Sequence, residues 1–113
     1  MAAPQLNGNT YFRTVGTSSV SITLSSVDLS SVSPSAGGYN VLVSNTGAAS
    51  VFVVGGIGSA ATAVYPTDSE TAVSTGRIVP AGQALLFDLR PGVTHISMIS
   101  TAAGNGVGIS VGL

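Results

Sequence analysis

The stretch YNVLVSNTGAASVFVV, residues 39–54, decides the fold class, because two runs of strand-forming residues flank a run of turn-forming residues. Residues 39–43 and 51–54 are rich in Val, with Tyr and Phe, and these residue types are enriched in strands. Residues 44–47 (SNTG) tolerate positive φ and favour a turn. The stretch therefore predicts two antiparallel strands joined as a β-hairpin.

Strand patterns recur on both sides of this stretch. Residues 20–24 (VSITL), 95–99 (HISMI) and 107–111 (VGISV) alternate larger apolar residues with small or polar ones, which is typical of half-buried strands. Residues 84–89 (ALLFDL) add a further apolar strand. Strands therefore dominate the chain, and hardly any segment could form a helix.

Turn signals separate the strands. Residues 80–82 (PAG) fit a type II turn, residues 90–92 (RPG) turn the chain again, and residues 105–106 (NG) are a type I′ hairpin dipeptide. About seven or eight short strands spaced by turns predict an all-β, single-domain antiparallel β-sandwich that is jelly-roll-like. We expect residues 1–19 to form an N-terminal arm and the first strand, and residues 20–113 to form the sandwich domain.

Composition limits both the size of the core and the class of partner. The chain has 113 residues, which suits one domain, and no Cys that could form a disulfide or a thiolate metal site. Its three cations are scattered arginines, so nucleic acid is excluded as a partner, because phosphate binding needs clustered cations. No apolar stretch approaches the roughly 18–20 residues of a membrane-spanning helix, which argues against a membrane partner. The N-terminus lacks the features of a signal peptide, and we expect synthesis in the cytoplasm.

Scarcity of charge is the unusual feature of the composition. Only 6% of residues are charged, against about 25% in a typical soluble domain, and there is no lysine. Sheet edges are normally protected by lysine or other charges, and the cores of protein interfaces are depleted in charged residues. We therefore expect a subunit of a larger assembly; the alternative is a monomer whose outer face is Ser, Thr, Gly and Asn.

One motif has the spacing of a dinucleotide-binding loop. Residues 56–61 (GIGSAA) follow a predicted strand with G-x-G-x-x-A spacing. That mechanism requires a helix next, whose N-terminus holds the pyrophosphate, and Pro66 interrupts the segment where the helix would run. We therefore interpret the motif as a glycine-rich turn that leaves a strand, and predict no cofactor.

Few residues could support catalysis or bind a metal. His95 is the only histidine, and Asp88, the nearest carboxylate in sequence, does not complete a Ser-His-Asp arrangement by itself. Asp68 and Glu70 could offer oxygens to calcium, but a calcium site collects about six to eight of them. We therefore expect no catalytic residue, no metal site and no enzymatic activity.

The candidate functional residues are those suited to a protein interface. Arginine can form a forked pair with a carboxylate of a partner, and each cation matters in a chain with so few. The first dozen residues could pair with a neighbouring subunit, and a histidine at the start of a strand suits a turn or an interface. The predicted interface residues are Tyr11, Phe12, Arg13, Arg77, Arg90 and His95.

The order of strands and turns resembles that of small virion proteins of tailed bacteriophages. Residues 39–56 look like their paired-strand unit, and residues 77–82, 94–101 and 107–112 are similar to their Pro-Ala-Gly turn, His-Ile strand and final Gly-spaced strand. The resemblance covers the last two-thirds of the chain. It implies a capsid decoration or cement protein, a homo-trimer or homo-dimer that binds the major capsid protein on the virion surface.

Two other classes remain open at this point. Another phage structural part, such as a head fibre, a tail component or a receptor-binding module, shares the composition and would differ in its copy number per virion. A small cellular β-sandwich binding module or enzyme would instead need a ligand-sized pocket lined by convergent polar groups. The chain has few titratable residues from which to build such a pocket.

Overall fold

The computed structural model describes residues 10–23, 40–67, 75–88 and 92–112. These residues form eight strands and no helix. In chain order the strands are β1 (Thr10–Val15), β2 (Val20–Thr23), β3 (Asn40–Asn45), β4 (Val51–Ile57), β5 (Arg77–Val79), β6 (Ala84–Asp88), β7 (Val93–Ser100) and β8 (Asn105–Gly112).

The strands form two antiparallel sheets of four strands each. Sheet A has the order β1-β8-β3-β6, and sheet B has the order β2-β7-β4-β5. The predicted all-β, antiparallel β-sandwich with about seven or eight strands is therefore confirmed, since eight strands are present.

Each strand in the first half of the chain pairs with its mirror position in the second half. The pairs β1–β8, β2–β7, β3–β6 and β4–β5 are all antiparallel. Two further pairings complete the sheets: β3–β8 joins the pairs β1–β8 and β3–β6 in sheet A, and β4–β7 joins the pairs β2–β7 and β4–β5 in sheet B. Apart from β4 and β5, which pair with each other, consecutive strands therefore lie in different sheets.

This topology overturns the predicted hairpin at residues 39–54. Strands β3 and β4 do not pair, because residues 46–50 cross from sheet A to sheet B. The dipeptide at residues 105–106 is likewise not a hairpin turn, since it begins β8 while β7 lies in the other sheet. Both strands of each expected hairpin are present. The two strands lie in opposite sheets, and each packs its apolar side into the core between them.

The core lies between the sheets and is built from alternate residues of each strand. The fully or nearly fully buried side chains are mostly β-branched, which suits a pleated surface packed on one side. They are Val15, Ile22, Val41, Val43, Val51, Val53, Val79, Val93, Ile96, Met98, Val107 and Ile109.

Strand β1 belongs to the sandwich. It pairs with β8 from Thr10 opposite Ser110 to Val15 opposite Asn105, and Val15 is buried in the core. Of the predicted arm and first strand at residues 1–19, residues 10–15 therefore form the edge of sheet A. Residues 1–9 lie outside the described part of the chain.

Candidate functional site

The two outer faces of the sandwich differ in what covers them. The chain leaving β4, residues 58–67, crosses the outer face of sheet B, and we call it the covering segment. The hydroxyl of Ser97 donates a hydrogen bond to the carbonyl of Ala61, and the hydroxyls of Ser21 and Ser97 are hydrogen-bonded at 2.6 Å. The backbone N–H of Ala63 donates to Ser19 Oγ at 2.8 Å. The hydroxyls of Ser97 on β7, Ser21 on β2 and Ser19 just before β2 therefore hold this segment.

Glycine at position 56 lets the covering segment approach β4. A Cβ at Gly56 would overlap the carbonyl oxygen of Ser59 and come 2.9 Å from the backbone nitrogen of Ala61. Tyr65 then packs edge-on against Phe52, with ring centroids 6.2 Å apart. Residues 59–67 contain no helix, so the G-x-G spacing at this position reflects close backbone packing and not a dinucleotide-binding turn.

The outer face of sheet A has no such cover among the described residues. Strand alternation places small and apolar side chains on this face, in rows that run across all four strands. One row joins Phe12, Gly108, Ser44 and Ala84, and the next joins Ser110, Leu42 and Leu86. The full described set is Phe12, Thr14, Leu42, Ser44, Ala84, Leu86, Asp88, Gly106, Gly108 and Ser110.

Phe12 is the most prominent side chain of this outer face. It is 69% exposed and lies over Gly108, where a Cβ would come 3.0 Å from the ring. Asp88 is the only charged residue of the described set, and it lies at the end of edge strand β6. The face is therefore broad, nearly uncharged and shaped by glycine and small polar residues.

The structure separates the residues predicted as interface residues on β1 and β5. Phe12 lies on the outer face of sheet A, and Tyr11 is placed opposite Ile109 in the β1–β8 register. Arg13 is half-buried and on the same side of β1 as Val15, toward the core. Because β1 and β5 are edge strands on opposite sides of the sandwich, Arg13 and exposed Arg77 do not share a surface.

The remaining predicted residues lie elsewhere. His95 is on β7, on the outer face of sheet B, and its Nδ1 and the hydroxyl of Thr94 are hydrogen-bonded at 2.7 Å. Asp88 is on β6 in sheet A, so the two sheets separate this carboxylate from His95. Arg90 lies outside the described residues. Of the described interface candidates, Phe12, Arg77 and His95 therefore lie on different parts of the sandwich.

An apolar cavity that sequence patterns did not indicate lies between the two sheets. Its volume is about 130 Å³, and it is near the β5–β6 side of the sandwich. Among the described residues that line it, Arg77 is the only charged one, and Arg77 Nη1 donates a hydrogen bond to the carbonyl of Gly76 at 2.9 Å. The described lining residues are Val41, Val43, Val53, Gly76, Arg77, Phe87 and Ile96.

Within the described ranges, no three His, Cys, Asp or Glu residues come together as metal ligands. The same part of the chain contains no helix long and apolar enough to cross a membrane. Comparison with known proteins finds no matching family model, no matching curated protein and no matching solved structure. Among the described residues, the outer face of sheet A is the feature that best indicates a function.

Proposed function

We propose that the chain is a non-enzymatic virion structural protein, a decoration or cement subunit of a tailed double-stranded DNA bacteriophage. It binds the outer surface of the icosahedral capsid and stabilises contacts between major capsid proteins. The observation that carries the proposal is the outer face of sheet A, which extends across four strands with Asp88 as its one charge among the described residues.

The strand order supports the proposal. We infer that the sandwich is a jelly roll, because a ribbon of mirror-paired strands, β1–β8 through β4–β5, is divided between two sheets of four strands. Jelly rolls occur in viral capsid domains, and also in lectins and cupins. Because one fold serves many functions, the strand order supports a capsid role only together with the composition of the outer face.

A broad face with a single charge among its described residues suits attachment to a shell. Docking removes apolar surface from water, at about 25 cal/mol for each Å² of apolar area, while few charged groups lose their hydration. Phe12 can then act as an anchor, since large aromatic side chains dominate the energetics of many interfaces. Because the subunit binds the assembled lattice and not free capsid subunits, mass action stabilises the shell without any chemical turnover.

Attachment can be tested with a matched pair of variants. Phe12 is 69% exposed on the outer face of sheet A, and Val64 is 68% exposed on the covering segment over sheet B. We expect Phe12→Asp to lower occupancy on purified capsids at least tenfold, because docking would bury an unpaired carboxylate, whereas Val64→Asp should bind like wild type. Circular dichroism checks that both variants fold. Loss of binding in Val64→Asp alone would contradict attachment through sheet A.

Copy number in intact particles tests the class of structural protein. Quantitative mass spectrometry of particles from the virus that encodes the chain should give about one copy for each major capsid protein subunit. A handful of copies would replace the proposal with a head fibre, a tail component or a receptor-binding module. Absence from the particles would overturn a virion role and favour a small cellular binding module.

A further inference from the structure

Four strands form the edges of the two sheets, and three of them carry a feature that discourages pairing with another chain. Strands β2 and β5 are short, with four and three residues, and β1 carries Arg13 on its core-directed side. Short edge strands and inward-pointing charges are recognised means of protecting a sheet edge. Strand β6 has five residues, no proline and a continuous register with β3. Its one charge, Asp88, lies at its end, and among the described strands β6 is the least protected edge.

The peptide groups of β6 that face away from β3 can be identified from one hydrogen bond. The backbone N–H of Asn45 donates to the carbonyl of Gln83 at 2.8 Å. In an antiparallel ladder bonded pairs alternate, so Leu85 and Phe87 also bond to β3, while alternate residues direct their N–H and C=O groups outward. These alternate residues are Ala84, Leu86 and Asp88, and none of the described strands pairs with them on that side.

The side chains of β6 are also incompletely covered within one chain. Leu85, Leu86 and Phe87 are three consecutive large apolar residues, and each is only half-buried. Leu85 and Phe87 pack against the core, and Phe87 lines the cavity between the sheets. A further strand beside β6 would cover both its inward-facing and its outward-facing apolar side chains.

We propose that β6 pairs antiparallel with β6 of a second copy of this chain, about a two-fold axis at Leu86. In this register Leu86 lies opposite Leu86 of the second copy, and Leu85 lies opposite Phe87. Asp88 lies opposite Ala84, so the strand's only charge avoids its counterpart. The outward peptide groups then form three bonded pairs, or about six backbone hydrogen bonds.

This pairing joins sheet A of both copies into one continuous sheet and doubles its outer face. Leu85 of the second copy extends the core beside Phe87, next to the cavity. A two-fold axis closes the assembly, so the exposed edge is removed without growth into fibres. The inference stands independently of the proposed function, because it concerns only a second copy of the same chain.

Cysteine cross-linking tests the register, since the natural chain has no Cys. Opposed residues of a bonded pair have Cα atoms about 5.5 Å apart, within the roughly 4.4–6.8 Å of a disulfide. We expect Leu86→Cys to form a disulfide-linked dimer under mild oxidation. The control is Ala84→Cys, whose two copies would be four residues apart along the strands, about 13 Å, and should not cross-link. Cross-linking of Ala84→Cys but not Leu86→Cys would overturn the register.

Solution mass separates edge pairing from association through the outer face. We expect wild type at twice the 11.0 kDa of one chain in sedimentation experiments, and folded Leu86→Lys at the mass of one chain. The control is Leu42→Lys, the cross-strand neighbour of Leu86 on the inner strand β3, which should remain dimeric. A monomeric wild type, or dissociation of Leu42→Lys with Leu86→Lys intact, would overturn the proposal.

Discussion

The side-chain amides of Asn45 and Asn105 are hydrogen-bonded to each other inside the protein, although the residues are 60 positions apart. Asn105 Nδ2 donates to Asn45 Oδ1 at 2.7 Å, and the two residues are only 3% and 2% exposed. Asn45 Nδ2 donates to the carbonyls of Ala49 at 2.8 Å and Val79 at 3.0 Å. Asn105 Oδ1 accepts from the N–H of Ala49 at 3.0 Å. This pair ties β3, β5 and β8 to the crossing between the sheets.

Removal of one member of the amide pair should destabilise the fold strongly. Asn105→Ala removes the donor to Asn45 Oδ1 and the acceptor of the Ala49 N–H, and it leaves a space beside the buried amide of Asn45. We expect a loss of about 2–4 kcal/mol in the free energy of unfolding, measured by urea denaturation. The control is Thr46→Ala, which removes an exposed hydrogen bond of 3.1 Å to the carbonyl of Gly106 and should cost less than about 1 kcal/mol. Equal losses would contradict this role of the pair.

Glycine at position 47 should be required by the same amide pair. A Cβ at Gly47 would overlap the side-chain amide of Asn105, so Gly47→Ala must displace a buried hydrogen-bonded group. We expect thermal unfolding to show a destabilisation of about 1–3 kcal/mol. Gly16→Ala is the control, because its Cβ would meet only the Cα of Ala103 at 3.8 Å. An unchanged stability of Gly47→Ala would contradict this requirement, because residues 46–50 could then make room for the added methyl group.

The hydroxyl of Ser97 should hold the covering segment on sheet B. Ser97→Ala removes the donor to the carbonyl of Ala61 and a partner of the Ser21 hydroxyl. We expect a loss of about 1–2 kcal/mol in stability and faster hydrogen exchange at the N–H of Ala63, which is bonded to Ser19. Ser59→Ala, on the exposed part of the same segment, serves as the control. Unchanged exchange in Ser97→Ala would refute this anchoring.

The cavity between the sheets should tolerate added volume. Val43 lines it, so Val43→Ile places one more methylene in an apolar space of about 130 Å³. We expect stabilisation of up to about 0.8 kcal/mol from that buried group. Val107 is equally buried but is not in the cavity lining, and Val107→Ile should destabilise by about 1–3 kcal/mol through overpacking. Chemical denaturation of both variants checks the contrast, and the same sign for both would count against it.

Local features of the chain were predictable from sequence because they depend on near neighbours. The predicted turn at residues 80–82 is present: Gly82 has φ of 71°, and the N–H of Gln83 donates to the carbonyl of Pro80 at 3.2 Å. Those are the positive φ and the hydrogen bond that a type II turn requires. The choice of sheet was not predictable, since the same alternation of residues describes β3 and β4 whether they pair together or face each other across the core.

In the candidate site, too, residue types were predictable from sequence, whereas contacts between distant strands were not. Phe12 was identified from sequence, but the position of Gly108 beneath its ring becomes visible only when β1 and β8 are paired. Asn45 and Asn105 carry residue types that favour turns, and the sequence predicted turns at both positions. Their burial depends on strands far apart in the chain, which local patterns do not report.

Sequence reasoning predicted the all-β character of this protein, with about seven or eight strands, their alternating apolar sides and the near absence of charge. These properties follow from the period-two alternation of side chains and from the composition. Both are the same whichever strands pair with one another. Three features depend on tertiary packing: which strands share a sheet, the path of residues 58–67 over sheet B, and the edge position of β6 among the described strands. Backbone hydrogen bonds are nearly the same whichever strand is the partner. The pairing is therefore selected by the packing of core side chains that are far apart in the sequence.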